Sequence, residues 1–109
     1  MNGKREGKGK EYNSNGFLKF EGEYLNDKRW NGKYIEYDFG DCQILNEGEY
    51  LSGKKNGKGK EYDFDGKLVF EGEYLNGERN GKGKIYIYYP NTATLLKIIE
   101  VEYLNGKML

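Results

Sequence analysis

The stretch Phe70-Glu71-Gly72-Glu73-Tyr74-Leu75-Asn76-Gly77-Glu78-Arg79-Asn80-Gly81-Lys82-Gly83 decides the fold. In an extended chain its first half sorts by side: Phe70, Gly72 and Tyr74 face one way, Glu71 and Glu73 the other. Asn76-Gly77 is the two-residue sequence that turns a twisted antiparallel hairpin, because both positions need positive φ. Gly-Lys-Gly then opens a second extended run, so one hairpin is written into this single stretch.

The hairpin recurs along the chain. Glu-Gly-Glu-Tyr-Leu stands at Glu21–Leu25, Glu47–Leu51 and Glu71–Leu75, with a worn copy at Glu100–Leu104, and the starts lie 26, 24 and 29 residues apart. Gly-Lys-Gly-Lys-Glu-Tyr stands at Gly7–Tyr12 and Gly57–Tyr62, with altered copies at Gly32–Tyr37 and Gly81–Tyr86, spaced 25, 25 and 24. Two interleaved series with one period indicate tandem hairpins, and no stretch sustains the apolar spacing of a helix. The predicted fold is all-β: a single domain formed by an elongated, twisted antiparallel sheet of stacked hairpins. Its units run approximately 1–19, 20–45, 46–69 and 70–98, with a partial unit at 99–109. About eight strands would span roughly 40 Å at the usual spacing between strands.

Composition agrees with a thin sheet. Hydrophobic residues make up 36% of the chain and charged ones 33%, too polar for a thick two-layer core, while aromatics at 16% can supply most of the buried area. Phe20, Tyr24, Tyr50, Phe70, Tyr74 and Tyr103 are the expected core rings, with glycines 22, 48 and 72 leaving room between them. Carboxylates on the other face would meet the lysines of neighbouring strands, each pair contributing a few tenths of a kcal/mol up to about 1. On this reading Tyr74→Ala costs on the order of 3 kcal/mol. Glu73→Ala, a solvated charge, costs no more than about 0.5 kcal/mol.

With both blocks quoted, the chain resembles a MORN-repeat protein, whose motif runs aromatic, acid, Gly, acid, aromatic, then a polar loop and Gly-x-Gly. The usual repeat carries an aromatic two positions past Gly-x-Gly. Here Glu61 holds that place and Tyr62 follows, with Tyr12, Tyr37 and Tyr86 likewise out of phase. That spacing is similar to a bacterial-type MORN variant, found in proteins often labelled as antitoxin components. Either a bulge re-aims these tyrosines towards the core, or the second strand carries an aromatic row on its other face. The resemblance implies an interaction scaffold, with lipid binding proposed for some members.

The residues themselves narrow the function by exclusion. Lys and Arg total 18 and Asp and Glu total 18, a balance that argues against nucleic acid and against strong attraction to anionic membranes. Lysines 4, 8 and 10 with Arg5 form the only local basic excess, expected to be a mobile terminus. Repeating carboxylates make a poor active site, since catalysis needs a unique arrangement of groups with displaced pKa values. The Gly-Lys-Gly-Lys blocks lack the full phosphate-loop pattern and belong to strands. Cys42 is the single cysteine and there is no histidine, so neither a disulfide nor a cysteine-based zinc site is expected, and no cofactor is called for. No signal peptide or membrane span is read, which makes a cytoplasmic protein the expectation.

The expected role is therefore a non-enzymatic scaffold for protein–protein interaction or assembly. The alternatives are an antitoxin-like or immunity-like partner of a toxin and a peripheral phospholipid-binding module, the latter not favoured. Candidate partner contacts are the features that break the repeat. Trp30 lies in a loop one residue longer than its counterparts, either as a contact anchor or as a ring folded back on the sheet. Tyr88, Tyr89, Leu95 and Leu96 belong to an enlarged apolar hairpin, Ile85–Ile99, which either caps the last repeat or docks on something. Head-to-tail self-association is a further expectation, because Gly7–Tyr12 and Glu100–Leu104 would be the sheet edges, with Tyr12 and Tyr103 near the junction.

Overall fold

Alternating side chains and positive-φ turns produce a run of hairpins. The structure, a computed structural model, describes residues 6–38 and 43–109. Cys42, Lys4 and Arg5 lie outside the described residues. The strands are β1 (Gly7–Tyr12), β2 (Leu18–Leu25), β3 (Lys28–Tyr37), β4 (Ile44–Leu51), β5 (Lys54–Tyr62), β6 (Leu68–Leu75), β7 (Glu78–Tyr88), β8 (Leu95–Leu104) and β9 (Lys107–Met108). They form one antiparallel sheet in sequence order, 55 × 33 × 16 Å overall, with no helix among the described residues.

Two kinds of turn alternate along it. At one end of the strands, pairs of positive-φ residues make tight reversals: Asn26-Asp27, Ser52-Gly53, Asn76-Gly77 and Asn105-Gly106. Each repeat stitches the next of these turns in place. Asn31, Asn56 and Asn80 accept the backbone N–H of Ser52, Asn76 and Asn105 at 3.0, 2.6 and 2.9 Å. At the other end, Asn13 and Asp63 build matching loops by accepting backbone N–H groups two and four residues on.

Charge also enters the ring face, through the residue that displaces the usual aromatic. Arg29 makes a two-pronged pair with Glu11, both contacts at 2.9 Å, and Tyr24 donates to the same carboxylate at 2.7 Å. The guanidinium lies 4.9 Å from the centroid of Phe20 and 5.6 Å from that of Tyr50. Two repeats later Arg79 pairs with Glu61, receives Tyr74 on the same carboxylate, and lies 3.8 Å from the Phe70 centroid. Arg79 also donates to the Tyr103 hydroxyl at 2.6 Å. Between them Lys55 holds Glu36 at 2.8 Å, over the ring of Tyr34. Each clamp crosses three strands, so it ties one hairpin to the next. Burial opposes the ionised form of Glu61, yet Arg79 and Tyr74 hold its carboxyl below the ordinary value.

Of the expected core rings, Phe20, Tyr24, Phe70 and Tyr103 are buried, and Tyr50 and Tyr74 are half-buried on the same face. Tyr34 is buried as well and was absent from the expectation. It stands opposite Gly48, where the other copies of the second block have glycine, and its ring packs edge-on against Tyr50. Two details differ from the sequence reading. The sheet has nine strands, because residues after Asn105-Gly106 begin β9, whose Lys107 and Met108 pair with Leu104 and Tyr103. Tyr103 thus lies behind another strand and not at an edge. Trp30 belongs to β3 and not to a loop, as an extra residue skipped by the pairing of Arg29 with Tyr24 and Asn31 with Glu23.

Two outcomes follow for stability. Phe70→Ala, emptying a fully buried site under a guanidinium, should lose about 3–5 kcal/mol in chemical denaturation. Glu61 has a lowered folded pKa, so its contribution is complete above the ordinary carboxylate value and disappears as pH falls through the folded one. The loss of unfolding free energy between about pH 5 and about pH 3 should accordingly be smaller in Glu61→Gln than in the parent chain.

Candidate functional site

The face opposite the rings carries two columns of charge that run across the strands. Cross-strand register puts Glu47, Lys60, Glu71, Lys84 and Glu100 in one column, beginning from Ile35. Lys33 with Glu49, Lys58 with Glu73, and Lys82 with Glu102 make up the other. Between the columns runs the row Tyr34, Gly48, Gly59, Gly72, Gly83 and Val101, whose side chains, where present, belong to the ring face. A channel of about 1330 Å³ lies there, walled by both columns and floored by this backbone row.

The glycine floor follows from the rings behind it. A Cβ at Gly72 would come 2.8 Å from the Phe70 ring and 2.8 Å from the backbone of Gly83, and one at Gly59 would come 2.7 Å from the Tyr74 ring. Smooth floor and packed rings are two sides of one requirement. Gly57 and Gly81, at φ +90° and +100°, lie where β5 and β7 bulge against their partners.

Local bonds fix four of the carboxylates on the walls. Glu49 and Glu73 accept the backbone N–H of Lys58 and Lys82, each at 2.9 Å, closing the two bulges. Glu47 accepts from the Tyr62 hydroxyl at 2.8 Å, and Glu71 accepts from Tyr86. Burial and the Glu47 carboxylate push the Tyr62 hydroxyl up to about 12. These contacts decide the out-of-phase tyrosines. A register shift does occur beside Tyr12, Tyr37 and Tyr62, but the skipped residue is in the facing strand: Lys19, Leu45 or Val69. Tyr62 and Tyr86 remain on the charged face, bonded to its carboxylates, and are not re-aimed towards the core.

The lysines are differently placed. Of the registered Lys–Glu pairs on this face, Lys10 with Glu21 closes to 3.6 Å. Lys33, Lys58, Lys60, Lys82 and Lys84 have no side-chain ion pair among the described residues. Register alone left this asymmetry invisible, since bulge closure by a carboxylate depends on the local path of the backbone.

The candidate contact residues do not converge on the channel, and Trp30 lies apart from the other four, which share one hairpin. The ring of Trp30 lies against Gly53, 3.3 Å from where a Cβ there would be, so it covers the next turn with one side still exposed. Tyr89, Leu95 and Leu96 are exposed at the opposite end of the strands, beside Tyr88, whose hydroxyl donates to Leu68 O at 2.7 Å. Farther along β8, Ile98 and Ile99 are exposed as well, on opposite faces of the sheet. No cluster of three or more metal-ligating side chains occurs among the described residues, and no described helix is long and apolar enough to cross a membrane.

Hairpins of one period, the glycine floor and the ring ladder have a counterpart among known families. The MORN repeat model matches residues 1–17, 47–67 and 70–87, about half of the chain. The chain belongs to the MORN-repeat family. No curated protein and no solved structure matches it significantly. The unmatched stretch between the first two MORN matches holds the inserted Trp30 and the Tyr34 that replaces a glycine, two places where the hairpin departs from its fellows. MORN repeats are commonly protein or lipid interaction scaffolds, and folds of this kind are typically non-enzymatic.

Because Glu73 closes a bulge, its removal costs more than that of a solvated charge. Glu73→Ala should lose about 1 kcal/mol or more, as for a hydrogen bond to a charged acceptor. Glu102→Ala in the same column is the comparison, and equal losses for both would show that the bulge contact contributes nothing.

Proposed function

We propose that this chain is a non-enzymatic scaffold that binds a protein partner along the channel of its charged face. The observation that supports it is the channel itself: a backbone floor between two columns of alternating sign, with Glu47, Glu49, Glu71 and Glu73 held by neighbours and the lysines unpaired. A polypeptide carries both signs of charge and can answer both. Anionic lipid answers only the lysines and would meet the wall carboxylates, a like-charge contact that opposes binding. The overall charge of zero gives no compensating long-range attraction.

A photo-reactive residue in place of Lys60 tests this reading in extract from the native source. It should cross-link to a polypeptide, and the same residue in place of Leu96 should not give that product. Co-sedimentation with phosphatidylserine vesicles should be negligible at about 150 mM salt, where exposed charges are screened beyond about 8 Å. Strong co-sedimentation under those conditions, lost in Lys58→Glu/Lys60→Glu, would replace the protein partner with a lipid surface.

A further inference from the structure

The channel has a pitch as well as a charge. Lys33, Lys58 and Lys82 sit on β3, β5 and β7, so like charges recur every second strand, or about 9.6 Å at the usual strand spacing. Lys60 and Lys84 repeat that interval in the other column. Carboxylates occupy the strands between. A partner that satisfies the columns throughout must carry its own charges with this period.

Three backbone conformations can be compared with it. A β-strand repeats each face every two residues, about 6.6 Å, and falls out of step at once. An α-helix returns to the same face after seven residues, about 10.5 Å, and with side chains it is about 10–12 Å wide. The two columns are two residues apart along each strand, about 7 Å, too close for a helix to sit between them. A polyproline-II helix turns once in three residues, about 9.3 Å, and has no internal hydrogen bonds to disrupt on docking. It stays within a fraction of an ångström of the column at each step.

We propose that the channel binds an extended polyproline-II segment of a partner protein with a three-residue charge repeat. Acidic residues at every third position meet the unpaired lysines, and basic residues on the adjoining edge meet the held carboxylates. From β3 to β8 the channel covers about 24 Å, which accommodates about eight residues of such a segment. The wall geometry suits a ligand of this kind: Glu47, Glu49, Glu71 and Glu73 are already fixed by the tyrosines and by backbone N–H groups, so docking orders chiefly the lysines. This inference rests on the proposed use of the channel for a protein partner and adds the conformation and charge order of what it takes.

Fluorescence anisotropy with synthetic peptides tests it on the full chain. The probe is labelled (Pro-Glu-Lys)4. The control has the same composition and prolines at the same spacing, with the charges segregated: Pro-Glu-Glu-Pro-Glu-Glu-Pro-Lys-Lys-Pro-Lys-Lys. The alternating peptide should bind at least tenfold more tightly, and Lys58→Glu/Lys60→Glu should remove that preference while circular dichroism shows an intact sheet. Equal affinity for the two peptides, or no binding of the alternating one, overturns the inference. Tighter binding of a helical (Glu-Ala-Ala-Ala-Lys)4 peptide that is lost in Lys58→Glu/Lys60→Glu also overturns it, but leaves the channel as a protein site. If the Lys60 cross-link fails as well, the channel reading falls with it.

Discussion

A guanidinium laid on an aromatic ring and gripped by a carboxylate two strands away is the contact on which this sheet depends. A single open sheet has no second layer to bury its rings against, so one side of every ring would face water. Arg29 and Arg79 cover Phe20 and Phe70 from that side, and Glu11 and Glu61 fix each guanidinium in place. The planar fork of arginine can stack and pair at once, which a lysine does less well. The middle clamp uses Lys55, and there the buried ring is tyrosine. The core is thus a ladder of rings roofed by cations.

The other face inherits its form from this ladder. Rings packed against the back of neighbouring strands require glycine at Gly22, Gly48, Gly59, Gly72 and Gly83, since a Cβ at each would press on a ring or a backbone. Glycine rows lie flat, and charged residues on either side of them stand up as walls. The channel therefore arises from the same residues that make the core possible, and a substitution that thickens the floor also disturbs the ladder. The shape of the channel and the stability of the core are coupled here through one row of missing side chains.

Much of this was legible in the sequence, for physical reasons. The two interleaved blocks give hairpin order directly, because tandem hairpins with short connections pair with their sequence neighbours. Strand alternation assigns Phe20, Tyr24 and Phe70 to one face without ambiguity. What escaped was set by single-residue departures. Tyr34 occupies a glycine position, so pattern reading passed over it, although a ring there fills the space the glycine would leave. Trp30 reads as a longer loop, whereas the sheet absorbs the extra residue as a bulge and keeps the turn short. The out-of-phase tyrosines carried two readings because a bulge on either strand shifts the register equally. Hydroxyl contacts to Glu47 and Glu71 choose between them. The roles of Glu11 and Glu61 were hidden as well, since an acid in a core position looks like an error until its arginine, eighteen residues on, is found above the ring.

Balanced composition hides an unbalanced surface. Acids and bases are equal in number, which suggests neutralised rows, yet their situations differ face by face. Ring-face acids neutralise Arg29, Lys55 and Arg79, and charged-face acids serve backbone N–H groups and tyrosine hydroxyls. Most carboxylates with a structural task have found it within their own or an adjoining repeat, and the channel lysines have not. A hydrogen bond from a neutral donor leaves a carboxylate its charge but fixes its position, so on β4 and β6 the walls keep fixed negative charges while the lysines on β3, β5 and β7 have no ion partner. Fixed carboxylates beside unpaired lysines are what the partner proposed above, with its regular charge order, would use: the fixed set defines a register and the lysine side chains can adjust to it.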